Sequence, residues 1–204
     1  MIHIALAHEL NKKLKREESS LFIGTIAPDI AKLINQDKIK SHFADKDKNI
    51  PNLEKFLNKY QKNLNDDFVL GYYIHLYVDY LWFKYFIPEI DSHQMIKTLD
   101  GKIIEYDEEL LWKYIYNDYT DLNIKLIDYY DLDLKIFYND LPNLEPIIEE
   151  IPISKLSVVV DQMGLIVKNS NLHKDYIIDI TQINQFIKIS MEIIYSNLIE
   201  LGVV

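Results

Sequence analysis

One apolar segment constrains this chain more than any other feature of its sequence. Residues 68–87 are almost entirely hydrophobic and aromatic, and the stretch GYYIHLYVDYLWF (71–83) lies at their centre. A run of this kind predicts a helix that is buried on most of its sides. Gly71 leaves room beside it for another backbone or a ligand. His75 and Asp79 nevertheless interrupt the run, and ionisable side chains in a buried helix need a partner.

The rest of the chain favours an all-α fold in a single domain. Its 204 residues are 49% hydrophobic and include only 5 glycines and 6 prolines, with apolar-periodic segments between them. We therefore expect one multi-helix domain over 1–204, with a functional boundary near residue 90 between a first half (1–90) and a second helical half (91–204). The exception is 95–106, where an Asp-Gly turn predicts a short β-hairpin.

Hydrophobic periodicity predicts helices in both halves. The first covers 2–16, with His3 on its apolar stripe and His8 on a different side of the helix. Pro28 ends or bends the next apolar run, so Asp29 follows a break from which a side chain can point into a pocket. The remaining predicted helices cover 51–63, 66–87, 107–130, 154–167 and 179–201.

Charge and composition exclude several classes of function. The net charge of −10 argues against broad contact with nucleic acid or anionic lipid. The chain has no cysteine, so any metal site must use histidine and carboxylate ligands. Charged residues interrupt the longest apolar stretch, and the N-terminal segment does not have the pattern of a signal peptide. We therefore expect a cytoplasmic protein without an integral membrane segment.

Five ionisable residues in the first half form a candidate metal site. His75 and Asp79 are four residues apart and share one helix face, although a buried His–Asp hydrogen bond that ties two helices together is the commoner explanation of such a pair taken alone. His42 lies in a carboxylate-rich segment, Asp29 follows the proline break, and His3 lies on the buried stripe. Divalent metal ions bind such mixtures of imidazole and carboxylate, and a carboxylate can bridge two ions.

Two of the segments that carry these residues resemble the zinc-dependent phospholipase C family in its wider sense. That family includes secreted bacterial phospholipases C and small intracellular relatives. HIALAHELNKKL (3–14) is similar to the first helix of the family, whose ligand histidine falls on His3. SHFADKD (41–47) resembles the Ser-His-Phe-x-Asp-x-Asp segment of the family, whose ligand histidine falls on His42.

A third segment and a carboxylate extend the resemblance over roughly residues 1–90. DFVLGYYIHLYVDYLWF (67–83) is similar to the family helix with the pattern Leu-Gly-x-x-x-His-x-x-x-Asp, which places a ligand on His75 and a metal-bridging carboxylate on Asp79. Asp29, in GTIAPDI, matches an acidic residue that activates water or binds metal in the secreted enzymes. The sequences of these segments are closer to those of the small intracellular relatives than to those of the secreted enzymes.

The resemblance implies a phospholipase C-like helical bundle with a mono- or dinuclear site. His42 and His75 would bind the first ion, Asp79 would bridge to a second ion held by His3, and Asp29 would be a ligand or the base. Zn is the expected metal, with Fe or Mn as alternatives. The implied reaction is hydrolysis of a phosphate ester, either a phospholipid or a small soluble phosphoester.

The chain also departs from the secreted enzymes. It begins with Met-Ile-His, whereas they use the amino group of a processed tryptophan as a ligand. Tyr85 stands where they have a further ligand histidine. Their later His-x-x-x-Glu pair has no counterpart, because Lys97 and Ile177 lie four residues after His93 and His173. We therefore expect a reduced site without the third metal ion.

Two other functions stay open at this point. The chain could be a non-catalytic metal-binding or scaffold domain whose second half binds a partner, including a second copy of itself. It could also be an HD-type phosphohydrolase, although the sequence has no adjacent His-Asp dipeptide. No lysine is obviously placed to bind phosphate, and Arg16 is the only arginine.

Overall fold

The computed structural model describes residues 1–45, 50–92 and 95–204. These residues form a mainly helical protein with one small antiparallel sheet, which confirms the predicted fold class. The α-helices are α1 (Ile2–Leu14), α2 (Glu18–Gly24), α3 (Ile30–Leu33), α4 (Lys38–Ser41), α5 (Leu53–Tyr60), α6 (Asp67–Leu81), α7 (Ile87–Ile90), α8 (Glu108–Tyr130), α9 (Leu156–Lys168) and α10 (Ile180–Glu200).

The sheet has the strand order β1-β2-β3, with β1 at Asp91–Ser92, β2 at Met95–Lys97 and β3 at Ile103–Glu105. Strands β2 and β3 form the predicted hairpin, with Ile96 opposite Ile104. Gly101 in the connecting turn has a φ of 85°, a conformation that glycine adopts without steric cost. The hairpin predicted over 95–106 is therefore confirmed.

Short helical pieces connect α1 to α6, and backbone chemistry explains where they end. Helix α1 ends two residues earlier than predicted, because Lys15 adopts a left-handed conformation with a φ of 56° and its N–H bonds to the carbonyl of Asn11. Pro28 occupies the start of a 3₁₀ turn at Ala27–Asp29 that separates α2 from α3. The predicted break is confirmed, and it leaves Asp29 at the end of that turn.

Helix α6 lies at the centre of the first half. Asp66 caps its N-terminus by accepting a hydrogen bond from the N–H of Val69. Almost every residue of the helix is buried, as its continuous apolar pattern predicted. After Leu81 the chain continues in a π-helical turn at Trp82–Phe86 before α7. Within the described residues, no helix combines the length and the hydrophobicity that crossing a membrane requires.

Helices α2 and α6 pack at unusually short range through two glycines. A Cβ atom on Gly71 would lie 2.0 Å from the carbonyl oxygen of Leu21, and one on Gly24 would lie 2.3 Å from that of Phe68. The room that Gly71 provides is therefore occupied by the backbone of α2. This contact holds the residue that follows α2, Thr25, against the buried face of α6.

One hydrophobic core includes residues from both halves of the chain. Leu6 of α1, Leu122 of α8 and Ile194 of α10 belong to the same buried cluster. Helix α10 begins with a capping box, in which Asp179 accepts from the N–H of Gln182 and the Gln182 side chain accepts from the N–H of Asp179. The second half thus packs directly against α1, which carries His3.

Candidate metal centre

The five residues that the sequence nominated come from four separate elements and meet in one place. His3 lies in the first turn of α1, Asp29 ends the 3₁₀ turn, and His42 directly follows α4. His75 and Asp79 lie one turn apart on α6. They form two groups of three residues, and within each group the ligand atoms lie within 4.8 Å of one another. The members of the two groups are His3, His75 and Asp79 in one, and Asp29, His42 and His75 in the other.

Three donor atoms have the spacing that one tetrahedral ion requires, and a fourth, Oδ1 of Asp29, lies beside one of them. The Nε2 atom of His42 lies 3.2 Å from Nε2 of His75 and 3.5 Å from Oδ2 of Asp79. Oδ2 of Asp79 lies 3.6 Å from Nε2 of His75, and Oδ1 of Asp29 lies 3.7 Å from Nε2 of His42. Ligands at ~2.0–2.1 Å from a tetrahedral zinc ion are about 3.4 Å apart. The two imidazole nitrogens and Oδ2 of Asp79 could therefore hold one such ion with small adjustments.

Hydrogen bonds on the far side of two imidazole rings orient them toward that centre. Nδ1 of His75 lies 2.7 Å from the carbonyl oxygen of Thr25, which can only accept, so Nδ1 carries a proton. The hydroxyl of Ser41 donates to the carbonyl of Lys38 and lies 2.9 Å from Nδ1 of His42, from which it accepts. Both Nε2 atoms therefore face the centre, as in metal-binding histidines with an ordered outer shell.

The Nε2 atoms of His42 and His75 leave room for at most one positive charge between the two rings. Burial lowers the pKa of His42 to about 3, and the charges of His75 and Lys38 act in the same direction. Burial also disfavours a charge on His75, but Asp79 and Asp29 outweigh it and raise the pKa of His75. Only one of the two rings can thus be protonated near neutral pH. The shared position suits either a proton or a metal ion.

Asp79 is ionised and uses its two oxygens in different directions. Burial alone would raise the pKa of this carboxyl, but His75 and His3 outweigh burial and hold it well below its usual range. Oδ1 lies 3.0 Å from Nε2 of His3, whereas Oδ2 faces His42 and His75. The ring of His3 stacks on that of His75 with centroids 4.2 Å apart. This arrangement suits a bridging carboxylate.

A second ion would have fewer ligands from the described parts of the chain. Nε2 of His75 belongs to both groups and can bind only one ion. Among the histidine and carboxylate side chains of the described residues, the His3 side then offers Nε2 of His3 and Oδ1 of Asp79. The geometry therefore provides a nearly complete set of ligands for one ion and a partial set for a second.

Lys38 is a member of the site that the sequence did not reveal. Its Nζ lies 3.9 Å from Oδ1 of Asp29 and 3.8 Å from Oδ2 of Asp79. The sequence showed no lysine obviously placed to bind phosphate, whereas the structure brings Lys38 beside two of the candidate carboxylates. A signal was present, because Lys38 precedes His42 by four residues, one helical turn. It was overlooked because 34–41 lacks the periodicity that predicts a helix.

The centre is open on one side and closed on the others. The side chains of His42 and His75 are only 1% exposed, whereas those of Asp29 and Lys38 are 39% and 34% exposed. Asp29 remains ionised, since His75 and Lys38 outweigh burial and lower its pKa. Solvent and ligands would therefore reach the centre past Asp29 and Lys38.

The other residues considered at the sequence level lie elsewhere. His8 lies near Glu18, with 3.6 Å between Nδ1 and Oε1, so His3 is the histidine of α1 that belongs to the centre. Tyr85 is half exposed and packs near Tyr80, at a groove that Asp79 does not line. Asp47, the last carboxylate of the SHFADKD segment, and His93 lie outside the described residues.

Comparisons of this chain with protein-family models, curated proteins and solved structures gave no match. The fold and the site alone therefore define the class: an all-α protein with a candidate His/Asp metal centre buried between α1, α4 and α6.

Proposed function

We propose that this protein is a metal-dependent hydrolase of phosphate esters. The observation that supports it most is the convergence of donor atoms from His42, His75 and Asp79, with both histidines buried and Asp29 beside them at the open side. The reaction class follows from the resemblance of 1–90 to the zinc-dependent phospholipase C family. Lys38 adds a positive charge beside the site, as an anionic substrate requires.

The donor set fits a divalent cation of borderline hardness. His42, His75 and Asp79 would hold it, with Zn as the first candidate and Fe or Mn as alternatives, because all three accept imidazole and carboxylate ligands. When bound, such an ion lowers the pKa of a water to about 7 and neutralises charge on phosphoryl oxygens.

Asp29 is the residue best placed to move a proton. It is ionised, it is the most exposed of the five carboxylate and imidazole side chains, and it lies at the edge of the ligand cluster. In this role Asp29 accepts the proton of the attacking water, while Asp79 and the histidines keep the reacting groups in place. Asp29→Asn would then reduce turnover by about 100-fold or more with little loss of metal.

The first experiment measures metal in protein purified without a histidine tag. We expect about one equivalent of a transition metal, reduced strongly in His75→Ala and Asp79→Asn. His8→Ala is the matched control, because His8 lies on the same helix as His3 but outside the centre. Folded wild-type protein with less than about a tenth of an equivalent, even after reconstitution with zinc, would refute the metal site.

The second experiment tests catalysis with p-nitrophenyl phosphate, bis-p-nitrophenyl phosphate and p-nitrophenylphosphorylcholine. We expect hydrolysis of at least one of them, and loss of that activity in Asp79→Asn. Activity that survives in Asp79→Asn would arise from another source. A metal-loaded protein without turnover would instead favour a metal-binding scaffold, for which exposed Ile189 and Ile193 on α10 offer an apolar contact surface.

A further inference from the structure

The backbone around Lys38 holds its side chain in a defined position at the centre. Asp37 caps α4 by accepting a hydrogen bond from the N–H of Ile39. The carbonyl oxygen of Lys38 accepts from the N–H of His42 at 2.9 Å and from the hydroxyl of Ser41. The element that positions the His42 ring therefore also positions the Lys38 side chain, and only backbone atoms of Lys38 take part in these bonds.

The ammonium group of Lys38 faces the open side with donors available for a ligand. Its distances of 3.9 Å to Asp29 and 3.8 Å to Asp79 are those of ion pairs and exceed the length of a direct hydrogen bond. The side chain is 34% exposed, whereas the imidazoles behind it are buried. An anionic oxygen placed near Asp29 at the open side would thus lie within reach of Nζ.

The sum of the charges at the centre shows what the ammonium group of Lys38 contributes to binding an anion. Two carboxylates, those of Asp29 and Asp79, lie at the centre, and the charge of one divalent ion would cancel theirs. With neutral histidines, the site would then have no net attraction for an anion. Lys38 adds one positive charge within 4 Å of both carboxylates. Among the described residues, Lys38 therefore gives the single-ion site a net positive charge.

We propose that Lys38 binds an anionic oxygen of the substrate and thereby selects phosphate esters over neutral esters. This inference rests on the proposed function, since it assigns the substrate-binding residue of that same site. The ammonium contacts a non-bridging phosphoryl oxygen from the solvent side, opposite the buried histidines. Lys38 is thus a substrate-binding residue, and it contributes little to holding the metal.

The test measures binding of inorganic phosphate to zinc-loaded protein by isothermal titration calorimetry. Lys38→Met removes the charge and keeps the aliphatic stem, and we expect it to weaken phosphate binding by at least about tenfold. Lys38→Arg, which keeps the charge, should stay close to the wild type. Lys40→Met is the matched control, because Lys40 lies on the same short helix and is exposed. It should leave phosphate affinity unchanged.

Zinc stoichiometry of each variant separates this inference from the proposed function. Lys38→Met should bind as much zinc as the wild type. Equal phosphate affinity in zinc-loaded Lys38→Met and wild type would overturn the role of Lys38 and leave the hydrolase proposal standing. Loss of zinc in both Lys38→Met and Lys38→Arg would also overturn it, since Lys38 would then support the metal site. Wild-type protein that binds no zinc would overturn both proposals.

Discussion

Replacing Gly71 with alanine should destabilise the fold and disturb the metal centre together. An added Cβ would lie 2.0 Å from the carbonyl oxygen of Leu21 and 3.0 Å from the Cα of Gly24, whereas ordinary contacts begin at 3.4 Å. Both neighbours are backbone atoms of α2 and have no rotamer by which to yield. Helices α2 and α6 would therefore have to separate by roughly 1 Å.

The expected loss of stability follows from two opposing effects. Overpacking a rigid site costs about 1–3 kcal/mol, and the upper end applies because only backbone atoms surround the new methyl group. Alanine in place of glycine inside a helix recovers up to about 1 kcal/mol. The net decrease in the free energy of unfolding should be about 2 kcal/mol, or ~4–8 °C in Tm for a chain of this size.

The same displacement reaches the metal centre through Thr25. Thr25 directly follows α2, and its carbonyl oxygen accepts the Nδ1–H of His75 at 2.7 Å. Moving α2 away from α6 lengthens this bond, which orients the ring. We therefore expect weaker zinc binding in Gly71→Ala, by about tenfold.

Urea unfolding followed by circular dichroism, with zinc affinity from chelator competition, checks both effects. Gly164→Ala in α9 is the control, because its Cβ would lie 3.8 Å from the Cβ of Phe137, an ordinary contact. That variant should gain up to about 1 kcal/mol. If Gly71→Ala were as stable as the wild type, the close packing of α2 on α6 would be refuted as a constraint on the fold.

Three further predictions concern hydrogen bonds and charge. Ser41→Ala removes the acceptor of Nδ1–H of His42 and should weaken zinc binding about tenfold in chelator competition, and unchanged affinity would contradict this role. Asp118 is fully buried and accepts hydrogen bonds from three consecutive backbone N–H groups before α10. Asp118→Ala should therefore lower the free energy of unfolding in urea by about 3 kcal/mol. A loss below about 1 kcal/mol would contradict this structural role. Burial, together with the nearby Asp121, raises the pKa of Asp175 to about 6. Because this folded-state pKa is above that of the unfolded chain, ionisation of Asp175 between about pH 4 and 6 disfavours the fold. The free energy of unfolding of Asp175→Asn should therefore rise by about 2 kcal/mol relative to that of the wild type from pH 4.5 to 7.5. A difference between the two proteins that does not change with pH would rule this out.

Local patterns were enough to predict the helical fold. The apolar periodicity of α1, α6, α8 and α10 is a property of neighbouring residues. The bounds of α1, α8 and α10 fall within two residues of those predicted, whereas α6 ends at Leu81, six residues before its predicted end. Pro28 and the Asp-Gly turn are equally local signals, since each acts on the backbone beside it. The π-helical turn at Trp82–Phe86 was not predicted, because its residues are mostly apolar like those of α6 and provide no distinguishing pattern.

The candidate metal centre could likewise be predicted from the sequence only in part. The sequence by itself nominated His3, Asp29, His42, His75 and Asp79, because imidazole and carboxylate side chains are costly to bury without partners and because their segments resemble one family. Spacing along the chain could relate only His75 to Asp79, which share one helix. It could not bring together residues that lie on different elements.

Tertiary structure alone decided how these residues meet and which others serve them. The Thr25 carbonyl is a backbone group with no sequence signature, and it reaches His75 only because two glycines let α2 approach α6. Lys38 joins the centre through a single helical turn that precedes His42. Distances between separate elements depend on packing, which the order of residues does not display; the sequence therefore determined the ligand types, and the fold decided their geometry.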